Sequence, residues 1–273
     1  MKKIDKIKRE KEMKNKEEQN KRAHSKRAQI TIFIIIAILI VAAIVLAVYF
    51  YPQIKTRFFV GFEPNSYLTS CIEKDLNSAK NEVIKQGGSI NPENYVLYEN
   101  NKVEYLCYTN ESYATCVMQQ PMLLQHVESE IERKIDARVK TCAENLRAEF
   151  ERNGYSISAG QLKYIVLIVP KKIVLQLNYP ITATKEGTKT YKEFTAESKS
   201  GLYDLIMIAT SILNFEARYG EASSDIYMTY YPSMKVEKKE ISEKGTVYIL
   251  TDRESQEAFY FASKSLPWPQ GYS

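Results

Sequence analysis

From Ile30 to Tyr51 the chain reads ITIFIIIAILIVAAIVLAVYFY, about 22 residues without a charge. No other stretch restricts the architecture as much. One helix of that length crosses a hydrocarbon core about 30 Å thick. About fifteen of its residues are Ile, Leu, Val or Phe, and at about −0.3 to −0.6 kcal/mol each they favour insertion by about 5 to 9 kcal/mol. Buried helices of globular domains seldom run so long without a charge. The run therefore predicts a transmembrane helix over 29–51, with Tyr49, Phe50 and Tyr51 at the interface and Pro52 ending the helix.

That anchor divides the chain into a basic tail (1–28), the helix (29–51), a linker (52–65) and a large domain (66–273). The tail holds 12 of the 38 Lys and Arg and 5 of the 33 acids, leaving 26 basic against 28 acidic residues elsewhere. Basicity thus belongs to the tail alone, and a nucleic-acid footprint on the large domain is excluded. Oriented pairs such as Glu10 with Lys14 and Glu18 with Arg22 allow partial helix in the tail. Lys21, Arg22, Lys26 and Arg27 abut the apolar run, where anionic head groups attract them and the positive-inside bias holds them in the cytoplasm. The expected location is a single-pass membrane protein with its tail cytoplasmic and residues 66–273 extracellular. A cleaved secretory signal fits less well, because the run exceeds about 7 to 15 residues and no small-x-small site follows.

Past Pro64 the apolar positions Leu68, Ile72, Leu76, Ala79 and Val83 share one helical face, predicting a helix over 66–86 capped by Asn65 or Ser66 and stopped by Gly87-Gly88. Stretches 93–99 and 102–109 around Asn100-Asn101 predict a hairpin. Over 119–153, Val127, Ile131, Ile135, Val139, Cys142, Leu146 and Phe150 predict a long helix, or two with a break near Pro121. Its charges, Glu130 with Lys134 and Asp136 with Lys140, read as a wet face. Strands follow at 162–169, 173–179 and 190–195, then an apolar helix over 201–219 stopped by Gly220, and strands at 226–230, 235–241, 246–250 and 258–262. The expected class is α+β, with a long helix, an antiparallel sheet and an apolar helix packed across it.

All four cysteines, Cys71, Cys107, Cys116 and Cys142, fall beyond the apolar run, on the side where oxidation is permitted. Of the connectivities open to them, Cys71 with Cys142 would staple the two amphipathic helices, and Cys107 with Cys116 would close a short loop. The alternative is buried thiols acting as small hydrophobes. Between the latter pair, Asn110-Glu111-Ser112 is an N-glycosylation acceptor pattern. His126 is the one histidine past the tail and reads as a helix-surface residue, so no metal site is expected. No phosphate-binding loop, nucleophile elbow or zinc-protease motif occurs, so no catalytic or cofactor-binding residue is assigned.

Lys26-Arg27-Ala28-Gln29, followed by the apolar run, resembles an archaeal type IV pilin signal. That resemblance implies cleavage between Ala28 and Gln29 by a membrane peptidase and packing of the freed helices into a filament. Phe33 stands where such pilins usually carry Glu, so the tail is expected to stay. More broadly, 29–219 resembles uncharacterised single-pass surface proteins of small-genome archaea, through the Gln29-Ile30-Thr31-Ile32-Phe33 anchor, a Cys-bearing helix ending in Gln86-Gly87-Gly88 and a second ending in Gly154-Tyr155. No activity comes with that likeness. The expected role is a membrane-anchored binding or envelope-interaction module, with a pilin-like subunit and then a tethered enzyme as alternatives. Expected partners are membrane lipid and a protein or envelope component, with self-association admitted and neither cofactor nor nucleic acid.

Overall fold

The computed structural model describes residues 62–241 and 245–267, together with Ile36, Ile38–Ala42, Ile44 and Leu46. Two compact units divide the chain, 1–61 and 62–273. In the first, the described residues are helical and exposed. The transmembrane helix expected over 29–51 is overturned: among the described residues no helix is long and apolar enough to cross a membrane. A hydropathy count measures composition, whereas crossing needs about 20 continuous helical residues. Among the described residues of that stretch the longest unbroken helical run is Ile38–Ala42. The rest of that stretch, the tail, the Ala28–Gln29 cut and most of the linker lie outside the described residues.

In the second unit the chain runs α1 (Pro64–Lys85), β1 (Tyr95–Tyr98), β2 (Asn101–Tyr108), β3 (Val117–Met118), α2 (Leu123–Arg152), β4 (Ser156–Ala159), β5 (Lys163–Val169), β6 (Lys172–Thr184), β7 (Thr188–Lys199), α3 (Leu202–Tyr219), α4 (Ser224–Tyr230), β8 (Met234–Glu240), β9 (Thr246–Asp252) and β10 (Ala258–Lys264). The class is α+β, but the single antiparallel sheet gives way to two sheets. One is mixed, in the order β1-β2-β10-β9-β8 with β3 also on β2, and its β2–β10 pairing is parallel. The other is antiparallel, with β6 between β5 and β7 and β4 also paired to β6. Periodicity identifies strands but not partners, and Tyr105 meets Ala262 from the far end of the chain.

Each amphipathic stripe buries against this framework. Leu68, Ile72, Leu76 and Val83 of α1 and Val127, Ile131, Ile135, Val139, Leu146 and Phe150 of α2 are all at most 1% exposed. They join one core with Leu175 and Leu177 of β6, Leu205 and Ile212 of α3, and Phe259 and Phe261 of β10. A smaller cluster, Val96, Val103, Tyr105, Val247, Ile249 and Ala262, belongs to the mixed sheet alone. α1 and α2 lie together, with Arg138 donating to the Cys71 carbonyl oxygen (3.1 and 2.8 Å) and pairing with Asp75 (3.1 Å), and Lys134 pairing with Glu82 (2.9 Å).

Several expectations move. The α1 cap is neither Asn65 nor Ser66: Pro64 opens the helix, suiting a first-turn position that needs no N–H, and Asn65 Oδ1 instead accepts from Thr195 N of β7 at 3.1 Å. The hairpin turns at Glu99 and Asn100, both at positive φ (48° and 64°), one residue before the expected Asn100-Asn101. α2 is one helix beginning after Pro121. The strand expected over 226–230 is α4; Asp225 lies in its first turn and Ile226 is exposed, so no face was there to bury as a strand.

Part of the polar face of α2 meets the sheet, although the Asp136–Lys140 pair expected on the wet face is exposed. Glu128, Glu132 and Asp136, four residues apart, face the free edge of β5. There Ile168 N donates to Glu128 Oε1 (2.8 Å), Val166 N to Glu132 Oε2 (3.4 Å) and Tyr164 OH to Asp136 Oδ1 (2.7 Å). The helix thereby satisfies backbone donors that an edge strand would otherwise offer to another chain. Burial holds the Glu128 carboxyl above its ordinary pKa, while Lys140 and Tyr164 hold Asp136 below its own.

Candidate functional site

Both sulfur bridges lie in the second unit. Cys71 of α1 is bonded to Cys142 of α2, with Cα atoms 6.0 Å apart. Cys107 of β2 is bonded to Cys116 just before β3, with Cα atoms 5.3 Å apart. No cysteine is free. Asn110 lies exposed in the loop this second bridge closes.

A cleft of about 370 Å³ opens where α1 ends, β1 and β2 begin and α2 completes its first turns. Its construction starts at Gly87, whose φ of +80° suits glycine alone and whose added Cβ would lie 2.7 Å from Glu104 Cβ. The chain can therefore turn off α1 flat against β2, delivering Ser89 between β2 and α2. Asn91, Glu93 and Asn94 follow on the way into β1, Glu104 and Tyr105 come from β2, Gln119 and Gln120 precede α2, and His126, Glu130 and Arg133 come from α2 itself. Among the described residues no aliphatic side chain lines the cleft.

Its floor is a chain of polar groups removed from water: Ser89, Glu104 and Glu130 are 5%, 9% and 6% exposed. Ser89 Oγ donates to Glu104 Oε2 and lies 2.8 Å from His126 Nε2. The single serine proton can serve the carboxylate, with His126 Nε2–H donating to Oγ, or serve a neutral His126, with a protonated Glu104 donating. Both arrangements keep Ser89 Oγ bonded to Glu104 and His126, so the three side chains form a short proton path. They are not a Ser–His–acid triad, in which the acid orients the histidine rather than holding the serine. Burial pushes the Glu104 carboxyl above its ordinary pKa, against hydrogen bonds from Ser89 and Gln120 that lower it. Burial likewise pushes His126 below its ordinary value, assisted by Arg133. Glu130 is paired with Arg133 and accepts from Ile90 N at 2.9 Å. Glu93 and Asn94 are exposed at the rim.

Sequence reasoning placed His126 and Glu130 on a solvated helix face, and the structure corrects both. The signals were present: Glu130 stands three residues after Val127 and seven after Leu123, within the buried stripe, and Glu104 shares its strand face with fully buried Leu106. Among the described residues no group of His, Cys, Asp and Glu is arranged to hold a metal ion. Comparison with known proteins finds no matching family model, no matching curated protein and no matching solved structure.

Proposed function

We propose that residues 62–273 form an extracytoplasmic binding module whose cleft takes a neutral, polyhydroxylated ligand about the size of one or two sugar rings. The observation that carries this reading is the lining: side-chain amides and carboxylates with no aliphatic wall, and buried charges already partnered within the protein. Planar amides and carboxylates accept and donate in defined directions, which suits hydroxyl groups that do both. A lipid tail finds no apolar wall, and an anionic ligand meets Glu93, Glu104 and Glu130 against one guanidinium. The two disulfides support an oxidising compartment.

Calorimetric titration of the full chain against neutral saccharides, amino acids and polyamines tests the ligand class. Saturable saccharide binding, weakened at least tenfold (~1.4 kcal/mol) by Glu93→Ala with Asn94→Ala, is the expected result. Binding of polyamines or amino acids in preference to saccharides would overturn it. A second reading, acid–base chemistry on the bound ligand, is favoured by the opposed pKa shifts of Glu104 and His126 across Ser89. Conversion of the ligand, seen by mass spectrometry and lost in Glu104→Gln, would mark it.

A further inference from the structure

The loop from Cys107 to Cys116 is presented in a way the cleft does not require. Its bridge draws the ends together, and Asn110, Glu111, Ser112 and Tyr113 are all exposed, Tyr113 to 75%. Glu111 N donates to Thr109 Oγ1 at 3.1 Å, turning the chain outward at Asn110. The Asn110 carboxamide is held by its oxygen alone: Tyr108 OH donates to Oδ1 at 2.7 Å and Lys264 Nζ at 3.1 Å. Neither Asn110 Nδ2 nor the Ser112 hydroxyl is hydrogen-bonded to another described residue. Among the described residues the nitrogen therefore has no partner, while the oxygen is pinned to β10 through Lys264. No other asparagine in the sequence is followed two places later by Ser or Thr.

We propose that Asn110 is a glycosylation site carrying an oligosaccharide on Nδ2. The donor class is an oligosaccharide joined through its anomeric carbon to a lipid phosphate or pyrophosphate, presented by a membrane transferase. Asn110 Nδ2 forms a bond to that carbon, the bond from carbon to phosphate oxygen breaks with its electron pair leaving on the lipid phosphate, and one Nδ2 proton passes to a base of the transferase. Nothing is oxidised or reduced. The Ser112 hydroxyl, two residues on, completes the acceptor pattern that such transferases read. Because the loop is exposed in the folded, bridged protein, a glycan here displaces no buried side chain. It stands on a rigid base beside the mixed sheet. The site rests on the extracytoplasmic reading, since the donor and the oxidising compartment lie on the same side of the membrane.

One peptide reports on both. The full chain is purified from the cells that make it, with thiols blocked before lysis, and digested with trypsin; the peptide Val103–Arg133 contains Cys107, Asn110, Ser112 and Cys116. The expected spectrum shows the bridge intact and an added mass of several sugar residues on Asn110, absent from Asn110→Gln and from Ser112→Ala and retained in Ser112→Thr. A bridged peptide without added mass overturns the glycan and leaves the compartment standing. Blocked free thiols at Cys107 and Cys116 without added mass overturn both.

Discussion

Replacing Cys71 and Cys142 together with alanine removes the bridge between α1 and α2, which spans 71 residues of sequence. In the chain-entropy account, a cross-link over that separation takes about 4.4 kcal/mol of loop-closure freedom from the unfolded chain, whereas the 9-residue separation of Cys107 and Cys116 takes about 2.6 kcal/mol. Cys142 is fully buried, so losing its sulfur adds on the order of 1 kcal/mol of packing. Equilibrium urea unfolding, followed by circular dichroism without reductant, should show the Cys71→Ala/Cys142→Ala midpoint falling by about 2.7 M, taking a slope of about 2 kcal/mol/M. Cys107→Ala/Cys116→Ala, which removes two buried sulfurs but the shorter loop, should lose less, about 2.3 M at the same slope. Arg138, Asp75, Lys134 and Glu82 still hold the helices together, so the variant should fold. Equal midpoints for the two double variants, or a greater loss from the local loop, would refute the reasoning.

Three further outcomes follow from particular residues. His126 has a lowered pKa in the folded state, so below its ordinary value of about 6.5 the unfolded chain takes up a proton that the folded chain refuses. Stability must therefore fall as pH drops through that value, and urea midpoints across pH 5 to 8 should lose this part of their slope in His126→Asn. Gly87→Ala places a Cβ against β2 at a φ of +80°; a loss of about 1 to 3 kcal/mol and weakened ligand binding are expected by thermal melts and titration. Glu128→Ala uncovers Ile168 N on the edge of β5; a loss of about 1 to 3 kcal/mol and concentration-dependent association in sedimentation should follow.

Where side chains repeat with the period of their element, the sequence was legible. The stripes of α1 and α2 run unbroken from Leu68 to Val83 and from Val127 to Phe150, and both are buried. Gly87-Gly88 and Gly154, all at positive φ, ended those helices visibly. Illegible features depend on partners distant in sequence. The parallel contact of β2 with β10 and the division into two sheets leave no local trace, and β6 runs on through Pro180, past its expected end at Tyr179, because a register shift between Asn178 and Ile181 accommodates it. The membrane helix rests on apolar content alone, and among the described residues no helix is long and apolar enough to cross a membrane. The cleft was missed for a related reason: Glu104 and Glu130 fall on buried faces of their own segments, but nothing local says what they meet there. Only the turn at Gly87 and the entry of α2 bring Ser89, Glu104 and His126 together.

The chain has two histidines, His24 in the tail and His126 in the cleft, so the imidazole of His126 is a nearly background-free probe of the proposed site. Carbon–proton correlation spectra recorded while a neutral saccharide is added to the full chain test the central claim directly. The account predicts a saturable shift of the His126 ring resonances, with the His24 signal unmoved and the effect diminished in the Glu93→Ala/Asn94→Ala variant. A His126 resonance unchanged at saccharide concentrations that give saturable heat would place binding elsewhere and contradict the account.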